Sequence, residues 1–410
     1  MIADEVLLNA PCEIHQGASS QLRIGLACMS KGARPSELQH WLRHHRSHVG
    51  IEVFFIRLEE PSAETRSLVS AAEWATCVHA TFADGPHNHR DCGSLQNARQ
   101  DQHVQQSVQA ARALGCTHLL HLDDDELLYL PSGRDRFMAT VSVLTTKKGV
   151  AELHMRNIEA FSPPRAECED PFGDSVVAFL HCPAHYVGYG DMLGSTGKSM
   201  GVLSSNPGLV PLGPHHFGTC HPAGLAVGRS GLLVGRARRK ELLSQPATEA
   251  DASGTRCLVS PETALVSPAV AAVLHFHCAS FSRWQTKYGD HIAALKMAGS
   301  NVGSLEQSLE EIAAINREAS EGLIDAHGRP PPHYFHAASC AAAVAQATAL
   351  ESNDASALAS ATAVGFSVWQ RWKLMPEAEA ARLPALADSE DFKVLTNGIT
   401  LVRMPKHGIV

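Results

Sequence analysis

Between residues 22 and 122 the chain alternates short apolar runs with amphipathic segments, and this alternation restricts the fold more than any other feature. Residues 22–29 are a near-continuous apolar run, the pattern of a strand buried on both faces. Pro35 suits the first turn of a helix. Leu38, Trp41, Leu42, His45 and Val49 then repeat at helical spacing before Gly50, with His45 read as a hydrogen-bonded packing histidine. Residues 53–56 predict a second strand, 62–76 a helix, and 78–82 a third strand. From 94 to 114 a longer helix places Leu95, Ala98, Val104, Val108, Ala111 and Leu114 roughly on one face. Residues 118–122 predict the fourth strand. Such alternation specifies an α/β fold, a parallel sheet covered by helices.

That fourth strand runs into Asp123-Asp124-Asp125-Glu126, and an apolar run follows at once. Four adjacent carboxylates repel one another, and apolar neighbours on both sides deny them full solvation. A hard divalent cation supplies the missing charge. In an extended segment residues two apart point the same way, so Asp123 and Asp125 would form an Asp-x-Asp clamp for Mg²⁺ or Mn²⁺, the ion that holds a nucleoside diphosphate. In open α/β sheets ligands bind outside the carboxyl ends of the strands, which is where these acids lie. The plain alternative is an acidic turn without a ligand.

Beyond residue 130 the pattern is less regular. Phe137, Met138, Val141 and Leu144 predict a helix, and 150–155 a strand. Residues 162–175 and 188–235, rich in Gly, Pro and Ser, read as loops that shape an acceptor cleft. Residues 273–277 read as a late strand. Helices are expected from near Ser282, over 305–323 and across the Ala-rich stretch 337–363. Residues 392–395 and 399–402 around Asn397-Gly398 read as a hairpin. The expected division is an extension at 1–20, a main domain at 21–300, and a mostly helical region with the terminal hairpin at 301–410.

Composition excludes several classes. Apolar residues make up 44% of the 410, so a large core is possible. With 34 basic and 42 acidic residues the formal net charge is −8, and no Lys/Arg arm suggests nucleic acid. Arg236-Ala237-Arg238-Arg239-Lys240 reads as a solvated face or a contact for an anionic ligand. The eleven cysteines show no Cys-x-x-Cys spacing, which disfavours a zinc ribbon or a disulfide scaffold and leaves reduced thiols as the expectation. The N-terminus lacks a basic region and a long apolar run, and no stretch is long enough for a transmembrane segment. The chain therefore reads as soluble and cytoplasmic, although a trimmed lumenal enzyme of the secretory pathway would read the same.

Several segments together resemble a GT-A glycosyltransferase of the family 92 and family 2 type. Lys31-Gly32-Ala33 stands where that family has a Lys-Asn-Glu-like loop, and Trp41-Leu42-Arg43-His44-His45 matches a Trp-Leu-x-x-His helix. Gln96-Asn97-Ala98 leads to the strand that ends in the acids. Gly197-Lys198-Ser199-Met200 matches a Gly-Lys-Ser strand, Gly213-Pro214-His215 a turn, and residues 275–280 a late His-containing segment. The resemblance covers roughly residues 21–300. It departs at Gly32 and Ala33, at Arg57 (where an acid is common, although Glu59 and Glu60 follow) and at Ala279, where the family has Lys.

The resemblance implies a GT-A, Rossmann-like mixed sheet with helices on both faces. It implies an inverting, hexosyltransferase-like enzyme that uses a nucleotide-sugar donor such as a UDP-sugar with Mn²⁺ or Mg²⁺. Asp123 and Asp125 would serve the metal, with His275 as a third ligand that spacing does not separate from His277. Asp123, Asp124, Lys198 and Lys31 would face the donor, Lys198 being equally readable as a surface lysine. Glu126 is expected to be buried and hydrogen-bonded. Inversion needs a general base to take the acceptor's hydroxyl proton. Glu159, after the strand at 150–155, is the candidate, with Asp191 and His215 as rivals and Asp125 also at the reaction centre. The partners are then the donor and a glycan or other hydroxyl acceptor. Two other classes remain: a binding protein of the same fold without turnover, and a metal-dependent phosphohydrolase, suggested by the 24 histidines and pairs such as His44/His45, His87/His89 and His215/His216.

Overall fold

A computed structural model of the chain describes residues 22–83, 96–146, 150–161, 177–181, 197–211, 215–220, 257–258, 263–267, 270–276, 281–297, 304, 307–314, 332–373, 392–394 and 399–403. The first half is a strict alternation. It comprises β1 (Ile24–Lys31), α1 (Pro35–His44), β2 (Val53–Glu59), α2 (Ala63–Ser70), β3 (Val78–Ala83), α3 (Gln96–Ala113) and β4 (His118–His121). After it come β5 (Glu126–Tyr129), α4 (Gly133–Thr145), β6 (Glu152–Phe161), β7 (Val177–His181), β8 (Gly197–Val202), β9 (Leu209–Pro211) and β10 (Phe217–Cys220). The chain continues with β11 (Cys257–Leu258), β12 (Thr263–Leu265), β13 (Ala272–His275) and α5 (Phe281–Met297). It closes with α6 (Pro332–Glu351), α7 (Ala355–Lys373), β14 (Phe392–Val394) and β15 (Ile399–Arg403).

The main sheet runs β14-β15-β7-β6-β8-β4-β1-β2-β3. β3, β2, β1 and β4 are mutually parallel. β8 lies antiparallel between β4 and β6. The partial order 3-2-1-4 is that of a doubly wound nucleotide-binding half, and it places the topological switch point between β1 and β4. Both faces are covered. On one, Leu26 and Cys28 of β1 pack with Leu38, Trp41 and Leu42 of α1. On the other, Ala27 packs with Val104, Val108 and Ala111 of α3. The fold is thus an α/β, Rossmann-like mixed sheet: parallel over β3, β2, β1 and β4 as the alternation predicts, with the antiparallel strands that the resemblance implies.

Two local departures have clear causes. The helix expected over 62–76 stops at Ser70, and Ala71 is extended. That break lets Trp74 turn inward and pack edge-on against Phe54 at 6.5 Å. α1 widens into a π-helical turn at His45–Val49 before Gly50, whose φ of 84° suits glycine. There His45 Nδ1 donates to the Trp41 carbonyl at 2.8 Å and Nε2 accepts from Leu128 N–H at 3.2 Å. It is a hydrogen-bonded packing histidine, and burial holds its pKa well below the usual range.

β14 and β15 pair antiparallel, as the hairpin reading expects, with Phe392 opposite Val402, while Asn397 and Gly398 lie outside the described residues; β15 extends the main sheet along β7. Trp284, Tyr288 and Ile292 of α5 pack with Ala338, Ala342 and Trp369 of α6 and α7. Gly365 is required at that junction, because a Cβ there would lie 2.8 Å from the Trp284 ring. Cys28, Cys77, Cys116 and Cys340 are free thiols. Among the described residues no helix is long and apolar enough to cross a membrane.

Candidate functional site

The acids follow β4 directly, at the carboxyl edge beside the switch point. They form a turn, in which the Glu126 N–H donates to the Asp123 carbonyl at 3.2 Å. The Glu126 carboxylate returns to accept from the Asp123 N–H at 2.8 Å. Trp41 Nε1 donates to the carbonyls of both Asp123 and Glu126, at 3.2 and 2.8 Å. The Asp125 carbonyl accepts from Phe276 N–H at 2.7 Å. This corrects the expectation of an extended Asp-x-Asp segment. The buried residues Leu127 and Leu128 must pair with β13, so the chain turns here, and Asp123 and Asp125 take different partners.

Asp123 accepts from Gln100 Nε2 at 2.8 Å and from Lys198 Nζ at 2.6 Å. Asp124 accepts from Ser30 Oγ at 2.6 Å, a bond that spans the crevice from β1. Asp125 lies 3.4 Å from Lys287 Nζ and 3.7 Å from His275 Nε2. Arg283 binds Glu37 at 2.6 Å, and its charge also acts on Asp124. Arg283 and Lys287 are one helical turn apart on α5 and so share a face. Lys198 is fully buried and also reaches Glu126, at 3.3 Å.

Among the described residues carboxylates outnumber cations at the turn. Asp123, Asp124, Asp125, Glu126 and Glu37 stand with Lys198, Arg283 and Lys287. Burial pushes the Asp124 carboxyl up to about 6 and that of Glu126 up to about 7, despite the nearby cations. Burial also opposes ionisation of Asp123, but Lys198 outweighs it and holds that carboxyl below its usual value. The oxygen-rich donor set and the position at the strand ends fit a divalent cation.

The structure brings several expected residues together and leaves others apart. Asp123, Asp124 and Asp125 share the turn, and His275 sits beside Asp125. Glu126 is buried and hydrogen-bonded. Lys198 is held by Asp123 and Glu126 rather than exposed. Lys31 is half-exposed at the end of β1, 2.9 Å from Asp290 and 3.8 Å from Glu60. Glu159 is register partner to His275 across β6 and β13, which places the candidate base on the strand that flanks the turn. His215 Nδ1 donates to the Gly197 carbonyl at 2.7 Å. Asp191, His277, Gly213 and Pro214 lie outside the described residues. Glu59, at the carboxyl end of β2, is clamped by Arg99 at 2.8 and 3.1 Å and by Arg57 at 3.1 Å. Sequence reasoning missed Ser30, Gln100, Arg283 and Lys287. The i, i+4 pair on α5 was visible, but nothing local aimed it at the acids.

A second polar cluster also went unread. Glu152 and His154 of β6 meet Ser199 of β8 and His216, all buried. His216 Nδ1 lies 2.7 Å from Glu152 Oε1, His154 Nδ1 lies 2.9 Å from Ser199 Oγ, and the Ser199 hydroxyl donates to Glu152. Burial raises the Glu152 carboxyl, but the His216 hydrogen bond and charge outweigh it and hold it below the usual carboxylate value.

No family model and no curated protein sequence matches this chain. The solved structures it overlaps include a cytidylyltransferase from Leptospira borgpetersenii (TM-score 0.23, 10% identity, 45% of this chain and 62% of that one). A 4-diphosphocytidyl-2C-methyl-D-erythritol synthase overlaps with TM-score 0.21 and 16% identity over 36% of this chain and 66% of that one. A mannose-1-phosphate geranyltransferase from Thermus thermophilus overlaps with TM-score 0.22 and 10% identity over 45% of this chain and 58% of that one. Each overlap spans less than two thirds of the matched structure. These scores are too low to bear on function, and the fold assignment rests on the strand order.

Proposed function

We propose that the chain is a nucleotide-binding transferase, and more narrowly a glycosyltransferase that moves a sugar from a nucleotide-sugar donor to a hydroxyl acceptor. The observation that carries this reading is the run of four carboxylates at the switch point between β1 and β4. Ligands of open α/β sheets bind at such a point, and the carboxylates offer the oxygen ligands through which a divalent cation would hold a diphosphate.

Asp123 and Asp125 would hold Mn²⁺ or Mg²⁺, with His275 at hand beside Asp125. When bound, the ion supplies positive charge for the departing nucleoside diphosphate. The protein's own residues set up that centre. Trp41 fixes the turn through its two carbonyls. Lys198 neutralises Asp123 and Glu126 from below and keeps the turn folded. Lys287, 3.4 Å from Asp125, would be a cation for phosphate oxygens, with Arg283 one turn away and Lys31 at the end of β1 as further candidates. Glu159, beside His275, would take the proton from the acceptor hydroxyl, in keeping with an inverting transfer. Of the histidine pairs that suggested a phosphohydrolase, His44, His45 and His216 are buried and His215 is tied to a backbone carbonyl, while His87 and His89 lie outside the described residues.

Incubation with a panel of nucleotide sugars and Mn²⁺, read by release of nucleoside diphosphate, tests this. The reading expects release from at least one donor, enhanced by the right acceptor and lost in Asp123→Asn. Tight binding of every donor without release would make it a binding protein. Release of inorganic phosphate instead would make it a phosphohydrolase.

A further inference from the structure

The cluster around Glu152 lies on the sheet face opposite the acidic turn. Successive strand residues point to opposite faces. On β8, Lys198 reaches Asp123 while Ser199 reaches Glu152. Glu152 and His154 are two apart on β6 and share Ser199's face. His216 arrives from the segment that leads into β10. One ligand atom from each of Glu152, His154 and His216 lies within 4.8 Å of the others. The two imidazoles stack almost parallel, with centroids 4.9 Å apart and planes at 7°. The Nε2 of His216 is buried without a hydrogen-bond partner among the described residues. Gly197 leaves room for the His154 ring, because a Cβ there would stand 2.7 Å from its Nε2.

We propose that Glu152, His154 and His216 form a structural Zn²⁺ site, with the Ser199 hydroxyl or a water as fourth ligand. Two imidazoles and a carboxylate suit zinc, whereas Mg²⁺ and Ca²⁺ prefer all-oxygen sets. The site is closed: Glu152, His154 and Ser199 are each 1% exposed and His216 6%. Among the described residues no position opens to a substrate, which marks a structural rather than a catalytic metal. Outer-shell support is present, since Thr263 Oγ1 donates to Glu152 Oε2 at 3.1 Å. Such an ion would clip β6, β8 and the segment before β10 together. It would thereby pin the strand whose next residue, Lys198, supports the acidic turn. This site stands apart from the transferase reading and does not depend on it.

The test uses the full chain, expressed in zinc-supplemented medium and washed with chelator, because a buried ion exchanges slowly. Elemental analysis should find close to one zinc per chain. Zinc K-edge absorption on the wild type should show a shell of mixed imidazole nitrogen and oxygen. His216→Gln should lose the metal and Asp123→Asn should keep it. Zinc-free wild-type protein, an all-oxygen shell, or metal lost with Asp123→Asn and retained with His216→Gln would each overturn the proposal. If His216→Gln fails to fold, the K-edge shell of the wild type still decides.

Discussion

Lys198→Met probes how the acidic turn is held. Methionine keeps most of the apolar stem and removes an ammonium 2.6 Å from Asp123 and 3.3 Å from Glu126. Lys198 is 0% exposed and the Glu126 side chain 1%, so water does not replace the lost charge. Breaking a buried ion pair from one side costs roughly 3–5 kcal/mol, because the partner is left buried and uncompensated. Part of that cost is recoverable. Lys198→Met with Glu126→Gln removes the fully buried carboxylate as well, and leaves Asp123, whose side chain is 26% exposed and still bonded to Gln100. Neutral replacement of both partners of a buried pair is often close to neutral, so the double variant should return to within about 1–2 kcal/mol of wild type once the lost Glu126 hydrogen bond is counted. Urea unfolding of all three proteins in chelator reads these differences directly. A single-variant penalty below about 1 kcal/mol, or a double variant no more stable than the single one, would refute Lys198 as the buried counter-ion of the turn.

Three further outcomes are expected. Asp125→Asn should weaken Mn²⁺-dependent nucleotide binding at least tenfold, about 1.4 kcal/mol, with a melting temperature unchanged or slightly raised, because one of five crowded carboxylates has lost its charge; a fallen melting temperature with binding intact would point to an acidic turn without a ligand. Trp41→Phe removes the donor shared by the Asp123 and Glu126 carbonyls, and unfolding should show a loss of about 1–3 kcal/mol together with weaker nucleotide binding. His103 donates to the Phe55 carbonyl at 3.1 Å, and burial lowers its pKa to about 4 from 6.5. A depressed folded-state pKa means stability is full above 6.5 and falls as pH drops toward 4, by roughly 3 kcal/mol from this group; His103→Gln should flatten that part of the pH–stability curve, and an unchanged slope would contradict the assignment.

The first half of the fold was legible because each element carried its own signal. Buried strands read as apolar runs and α1 with the turn after it as a stripe from Leu38 to Val49. Position at a carboxyl edge also followed, since the acids come directly after β4. The shape of the turn did not follow. Whether Asp123 to Glu126 stay extended depends on β5 reaching β13, and Val273 is more than 140 residues away in sequence. Lys198 read equally as a donor contact or a surface lysine for the same reason, because only the β4–β8 pairing buries it. The cluster of Glu152, His154 and His216 gave no spacing signal, since two strands and a distant segment assemble it.

The central claim is that the acidic turn binds a nucleoside diphosphate through a divalent cation. Calorimetric titration of UDP into the wild-type protein, once with Mn²⁺ and once with excess chelator, tests it most directly. A saturable isotherm is expected with Mn²⁺ and none in chelator, with the Mn²⁺ isotherm abolished in Asp123→Asn. Equal UDP affinity in both buffers, or binding undiminished in Asp123→Asn, would contradict it.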